Sequence, residues 1–164
     1  MKFGIRTTQI ILVLGALILI TGLVLAPRIP AEKQLQAEIN PVNLKLQQAA
    51  AMVQNGENPM QGIAMMREIL EEDSTNVDVH WQLAQFSLTS RQIENAAFRF
   101  SKVIEFDSEQ KYPQAYFWLA QTELELDHKE EAIVLLEKYL TLETDTVVIN
   151  GVAQMLEKLK QDIH

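Results

Sequence analysis

Cysteine is absent from the 164 residues. That excludes disulfides, thiolate metal sites, a cysteine nucleophile and the cysteine of a bacterial lipid anchor. It leaves the compartment open, because a thiol-free chain survives in reducing and oxidising surroundings alike. Glycine and proline are sparse, at 6 and 5 residues. No Gly-rich phosphate loop and no GxSxG elbow can be traced. Basic side chains are also scarce. Residues 27–164 carry 12 of them against 22 acids, a surface that repels phosphate backbones, so no nucleic-acid partner is expected. Only three histidines occur, His80, His128 and His164. None has a second histidine or a carboxylate at ligand spacing, so no metal site and no cofactor are expected. The acids Glu71, Glu72 and Asp73 read as a solvated helix end, and Glu130 and Glu131 suit the dipole of a helix start. With no catalytic constellation to build on, the chain is not expected to be an enzyme and no small-molecule substrate is expected.

One long apolar run is present. Thr7 to Ala26 holds twenty residues without a charge, behind a tail (1–6) carrying Lys2 and Arg6. A helix of about 20 residues spans the ~30 Å hydrocarbon core of a bilayer. Pro27 and Pro30 end it, and 27–40 reads as a polar linker or stalk. A cleaved signal peptide is the competing reading, with Val24-Leu25-Ala26 as its cleavage site. The run is longer than a typical signal core, and a proline would follow the cut, so a retained single-pass anchor at 7–26 is expected. A short basic tail before a large domain places the N-terminus in the cytoplasm and the remainder outside, on the periplasmic side of a bacterial envelope.

From Pro41 on, apolar residues recur at three and four, the helix period, with no strand-type alternation. "HWQLAQ" (80–85) is echoed by "YFWLAQ" (116–121). Laying Ala84 on Ala120 puts Ala96 on Ala132 and Phe100 on Leu136. The same spacings of twelve and four reappear upstream at Ala50, Gly62 and Met66. Each copy passes from an amphipathic helix into an acidic, hydroxyl-rich turn: "EILEEDST", "VIEFDSEQ", "YLTLETDT". Small residues at a fixed spacing let two antiparallel helices cross closely, and stacked hairpins bury one another's remaining faces. The expected fold is all-α. Three hairpin repeats (41–74, 76–108 and 111–144) cover about 41–143, with two extra residues near Glu109–Tyr112. A capping helix follows at 145–162, started by Asp145 or Thr146, with a stripe of Val148, Val152, Met155, Leu156 and Leu159.

This pattern resembles the tetratricopeptide repeat (TPR) family. His80, Leu83, Ala84, Ala96 and Phe100 carry the resemblance in the second copy. Tyr116, Leu119, Ala120, Ala132 and Leu136 carry it in the third, and Leu46, Ala49, Ala50, Gly62 and Met66 in the first. Ala stands where the family pattern has Gly, Trp81 lies one place late, and Ser74, Ser108 and Thr144 replace the closing Pro. The resemblance implies an α-solenoid whose first helices line a concave groove. Alignment then gives Gln47, Ala51, Gln54, Trp81, Gln85, Leu88, Phe117, Gln121 and Leu124 as the partner-binding groove. Amides and aromatics suit an extended or helical peptide. The alternative for Trp81 and Phe117 is packing between hairpins, and periodicity does not separate the two. No basic residue falls at these positions, so the clamp some TPR domains close on acidic C-termini is not expected. The implied function is a membrane-anchored adaptor or scaffold. It would bind a protein or peptide near the bilayer, which it contacts through 7–26, as an assembly, translocation or maturation factor. The alternatives are an integral structural subunit of a membrane complex and a cytosol-facing TPR receptor.

Overall fold

The computed structural model describes residues 40–162, and every regular element among them is an α-helix. Seven follow in order: α1 Pro41–Asn55, α2 Pro59–Glu72, α3 Val77–Thr89, α4 Ile93–Phe106, α5 Ala115–Glu125, α6 Lys129–Leu140 and α7 Thr146–Gln161. None of the described helices is long and apolar enough to cross a membrane. The tail at 1–6, the anchor at 7–26 and the linker up to its last residue lie outside the described residues.

Local chemistry explains the boundaries. Pro41 and Pro59 open α1 and α2, where a missing N–H costs nothing. Asn76 caps α3, its Oδ1 accepting from Val79 N at 3.1 Å. Of the two candidates for the start of α7, Asp145 is the cap, accepting from Val147 N at 2.8 Å. The turn inside each hairpin passes through a residue of positive φ: Gly56 (71°), Arg91 (58°) and Asp127 (63°). The last two close identical turns. Arg91 N donates to Leu88 O and Gln92 N to Ser87 O, just as Asp127 N donates to Leu124 O and His128 N to Glu123 O. The paired backbone bonds satisfy the final carbonyls of α3 and α5.

α1–α2, α3–α4 and α5–α6 each form an antiparallel hairpin, and α7 packs on α6. Ala84, Ala96, Ala120 and Ala132 are fully buried, as are Phe100 and Leu136. The first hairpin differs by one place. Ala49, not Ala50, is the fully buried small residue. A Cβ on Gly62 would lie 2.4 Å from the Ala49 carbonyl oxygen, so the backbones cross where only glycine fits. The reason is the neighbourhood: α3 and α5 are covered on two sides, whereas α1 buries only the narrow stripe of Leu46 and Ala49. On α7, Val152 and Leu156 are buried and Met155 and Leu159 pack beside them. Val148, expected in that stripe, is 37% exposed and marks its edge. Each fully buried large side chain in these clusters contributes about 1.5–3 kcal/mol.

Candidate functional site

The two junctions between hairpins are built differently. At the second, Trp81 of α3 stacks on Tyr112, with ring centroids 4.7 Å apart and planes 12° apart. The edge of Trp81 meets Phe100 at 5.6 Å. Tyr112 sits in the two-residue insertion, which Asp107 holds in shape. Its carboxylate accepts from Lys111 N at 2.9 Å and from Tyr112 N at 2.6 Å. The Tyr112 hydroxyl donates to Asp78 Oδ1 at 2.7 Å, and Lys111 Nζ bonds the same carboxylate at 2.6 Å. Burial, then the Asp78 bond and the charges of Asp78 and Asp107, push the Tyr112 phenol well above its ordinary pKa, so it stays a donor. The insertion is thus a prop that ties the start of α3 to the start of α5.

At the first junction no such prop is present among the described residues. α1 and α3 leave a hollow of about 400 Å³, lined by Ala50, Val53 and Gln54 of α1, Met66 of α2, and Gln82, Gln85, Phe86 and Thr89 of α3. That volume falls within the range of sites that accept small ligands or single side chains. Gln85 Nε2 is buried without a hydrogen-bond partner. A buried amide donor left unpaired costs about 1–3 kcal/mol, so the side chain of Gln85, at the wall of the hollow, carries an unmet demand for an acceptor.

The nine groove residues read from the sequence fall into separate places. Gln54 and Gln85 both line the hollow. Gln47 and Ala51 lie on the exposed face of α1. Trp81 and Leu88 pack against the core of the second hairpin and its junction with the third. Phe117 and Leu124 pack against the core shared by α5, α6 and α7, with Phe117 5.6 Å from the Tyr139 ring. Gln121 contacts Met155 Sδ at 3.5 Å, joining α5 to α7. The lining residues not anticipated for the groove are Ala50, Val53, Met66, Gln82, Phe86 and Thr89. On α3 the lining positions 82, 85, 86 and 89 are spaced three, four and seven apart, one face of a helix. The alignment chose 81, 85 and 88, a face turned by about one residue.

Of the histidines, His80 is buried with its ring Nε2 2.9 Å from Ser74 O. His128 is exposed and pairs with Glu123 at 2.7 Å. Glu130 and Glu131 occupy the first turn of α6. Among the described residues no group of three or more His, Asp or Glu side chains is placed to share a metal ion.

No protein-family model matches the chain, and no curated protein matches it. Among solved structures the fold is similar to the crystal structure of MamA protein. The TM-score is 0.60 at 18% identity, covering 79% of this chain and 69% of that chain. At that identity the likeness concerns the fold alone. The described residues form a TPR-like helical repeat.

Proposed function

We propose that the chain is an adaptor that seizes a partner protein through the hollow between α1 and α3, close to a membrane that residues 7–26 enter. The observation that carries this reading is Gln85. Gln85, whose amide nitrogen is buried without a hydrogen-bond partner among the described residues, lines a hollow with apolar walls (Val53, Met66, Phe86) and two further amides, Gln54 and Gln82, and a turn of its side chain would offer that amide to a bound acceptor. An extended segment of a partner would place a backbone carbonyl on Gln85 and an apolar side chain against Phe86. The site is uncharged, so recognition rests on shape and backbone bonding. Tethering raises the effective concentration of the partner, and modest affinity then suffices. The repeats lie outside the cytoplasm in this reading, which rests on the basic N-terminal tail. It assigns no catalytic role.

Two measurements test it. A benzophenone side chain at position 54, irradiated in intact cells, should give a discrete adduct that fades when Gln82 and Gln85 are changed to alanine. An adduct that is absent or indifferent to those changes sinks the site. For topology, Ser108→Cys places a single thiol in an exposed turn of a thiol-free chain. Labelling by an impermeant maleimide with the inner membrane intact supports the extracytoplasmic placement. Labelling only after lysis reverses it.

A further inference from the structure

Asparagine followed by glycine occurs twice in the chain, at Asn55–Gly56 and at Asn150–Gly151. The pairing matters chemically. A backbone nitrogen can attack the side-chain amide carbon of the asparagine before it, and glycine, having no side chain, leaves that approach open. Both asparagines and both glycines are exposed. A Cβ added at either glycine would meet nothing within 4 Å. Exposure and steric access therefore do not separate the two pairs.

The backbone does. Asn150 and Gly151 both lie inside α7. There each N–H is bonded to the carbonyl four residues back, and the fixed helical ψ of Asn150 keeps the Gly151 nitrogen away from the Asn150 side chain. Asn55 is instead the last residue of α1, and Gly56 lies past its end with a φ of 71°. Helix ends fray at little cost, so the ψ of Asn55 is free to turn and bring the Gly56 nitrogen onto its side chain.

We infer that Asn55 is a site of spontaneous deamidation and that Asn150, in the same dipeptide, is protected. The Gly56 nitrogen bonds to Asn55 Cγ as it gives up its proton. The Cγ–Nδ2 bond breaks, releasing ammonia and leaving a cyclic succinimide. Water then opens the ring at either carbonyl. One opening leaves aspartate. The other leaves isoaspartate, in which the main chain runs through the side-chain carbon and is one atom longer. Water is the only co-reactant, and nothing is oxidised or reduced.

The product lands where the fold has little slack. On the far side of the turn, Asn58 O accepts from Gln61 N and Gly62 N at 3.1 Å each. Gly62 in turn is held against Ala49 at the close crossing of α1 and α2. Gly56 and Glu57 alone are left to absorb an extra main-chain atom. The new carboxylate also stands at the negative end of the α1 dipole. It adjoins Gln54, which lines a hollow with no charged residue in its wall. Deamidated copies should therefore have a less stable first hairpin. They should also hold a partner less firmly, the one consequence that rests on the adaptor reading.

The test incubates the full-length chain, folded in non-ionic detergent, at mildly alkaline pH and body temperature. Peptide mass spectrometry follows positions 55 and 150 separately, and an isoaspartyl methyltransferase with a labelled methyl donor counts isoaspartate. Position 55 should convert at least about tenfold faster than position 150, because α7 must open locally before the second pair can react. In concentrated guanidinium chloride the two rates should converge. Asn55→Gln should remove nearly all the methyl label from the folded chain. Asn55→Asp, the direct product, should melt up to a few degrees below the parent at neutral pH and should lower the yield of the adduct at position 54. The inference is overturned if position 55 reacts no faster than position 150 in the folded chain. It is also overturned if the difference survives in guanidinium chloride and so belongs to the flanking side chains. An unchanged adduct in Asn55→Asp overturns the link to the hollow, whereas no adduct with the parent sequence counts against the hollow itself.

Discussion

The first and second hairpin junctions are made from the same kind of helices and end as opposites. Between the second and third hairpins an inserted tyrosine fills the gap, stacks on Trp81 and is bonded to Asp78. Between the first and second, nothing among the described residues fills it, and Gln85 stays unpaired there. A repeat fold therefore need not distribute binding evenly along its length. Where a side chain is supplied from within, the junction is structure. Where none is supplied, the junction is left for something else to complete.

The contrast can be broken most severely at the filled junction. Trp81→Ala should cost about 3 kcal/mol, the lower end for a tryptophan because Trp81 is only partly buried. A denaturant midpoint that falls at constant slope would show it. Tyr112→Phe keeps the stack and removes only the bond to Asp78. It should cost about 1–2 kcal/mol, read as a lowered melting temperature, and a loss as large as that of Trp81→Ala would mean the stack depends on the hydroxyl. At the open junction the sign should reverse. Gln85→Leu removes the orphan amide and should stabilise the chain by up to about 1 kcal/mol while abolishing the adduct at position 54. A loss of stability instead would show that the amide is satisfied in the free protein.

The smallest expected effect is a pH dependence beside the first junction. Burial, more than the bond to Ser74 opposes it, lowers the His80 pKa below 6.5; Arg99 and Lys102 lower it further while Asp73 raises it. The folded state thus prefers neutral His80. Its stabilisation is present above pH 6.5 and is lost as pH falls from there through the lowered value. His128 acts oppositely: its bond to Glu123 raises its pKa, and its contribution is lost as pH rises through the folded value. The His80 effect should therefore stand out in a His128→Gln background, as a melting temperature that declines as pH falls below His80's ordinary value of 6.5.

The helical class and the close crossings at Ala84–Ala96 and Ala120–Ala132 were legible because tight packing dictates small residues at fixed spacing. The first crossing was read one residue off, at Ala50 instead of Ala49, because an end hairpin buries a narrower stripe and its register is less constrained. The face of α3 that lines the hollow was harder. Val79, His80, Leu83, Ala84 and Ser87 are the buried residues and share one face of the helix, whereas the lining positions 82, 85, 86 and 89 fall off it, so the buried stripe marks the packing face and not the hollow. The insertion was visible as extra length, but nothing in the order of residues announces that Tyr112 reaches back to Asp78.

Gly62 gives the first hairpin a mechanical character of its own. With α1 and α2 in backbone contact there, neither can shift without the other, while the hollow leaves their joint attachment to α3 sparse. The two helices should open as one flap, and amide protons along both should exchange with solvent together and sooner than those of α3 to α6. A bound segment would latch that flap shut. How long the adaptor keeps its partner would then be set by the flap's swing rather than by the number of contacts made.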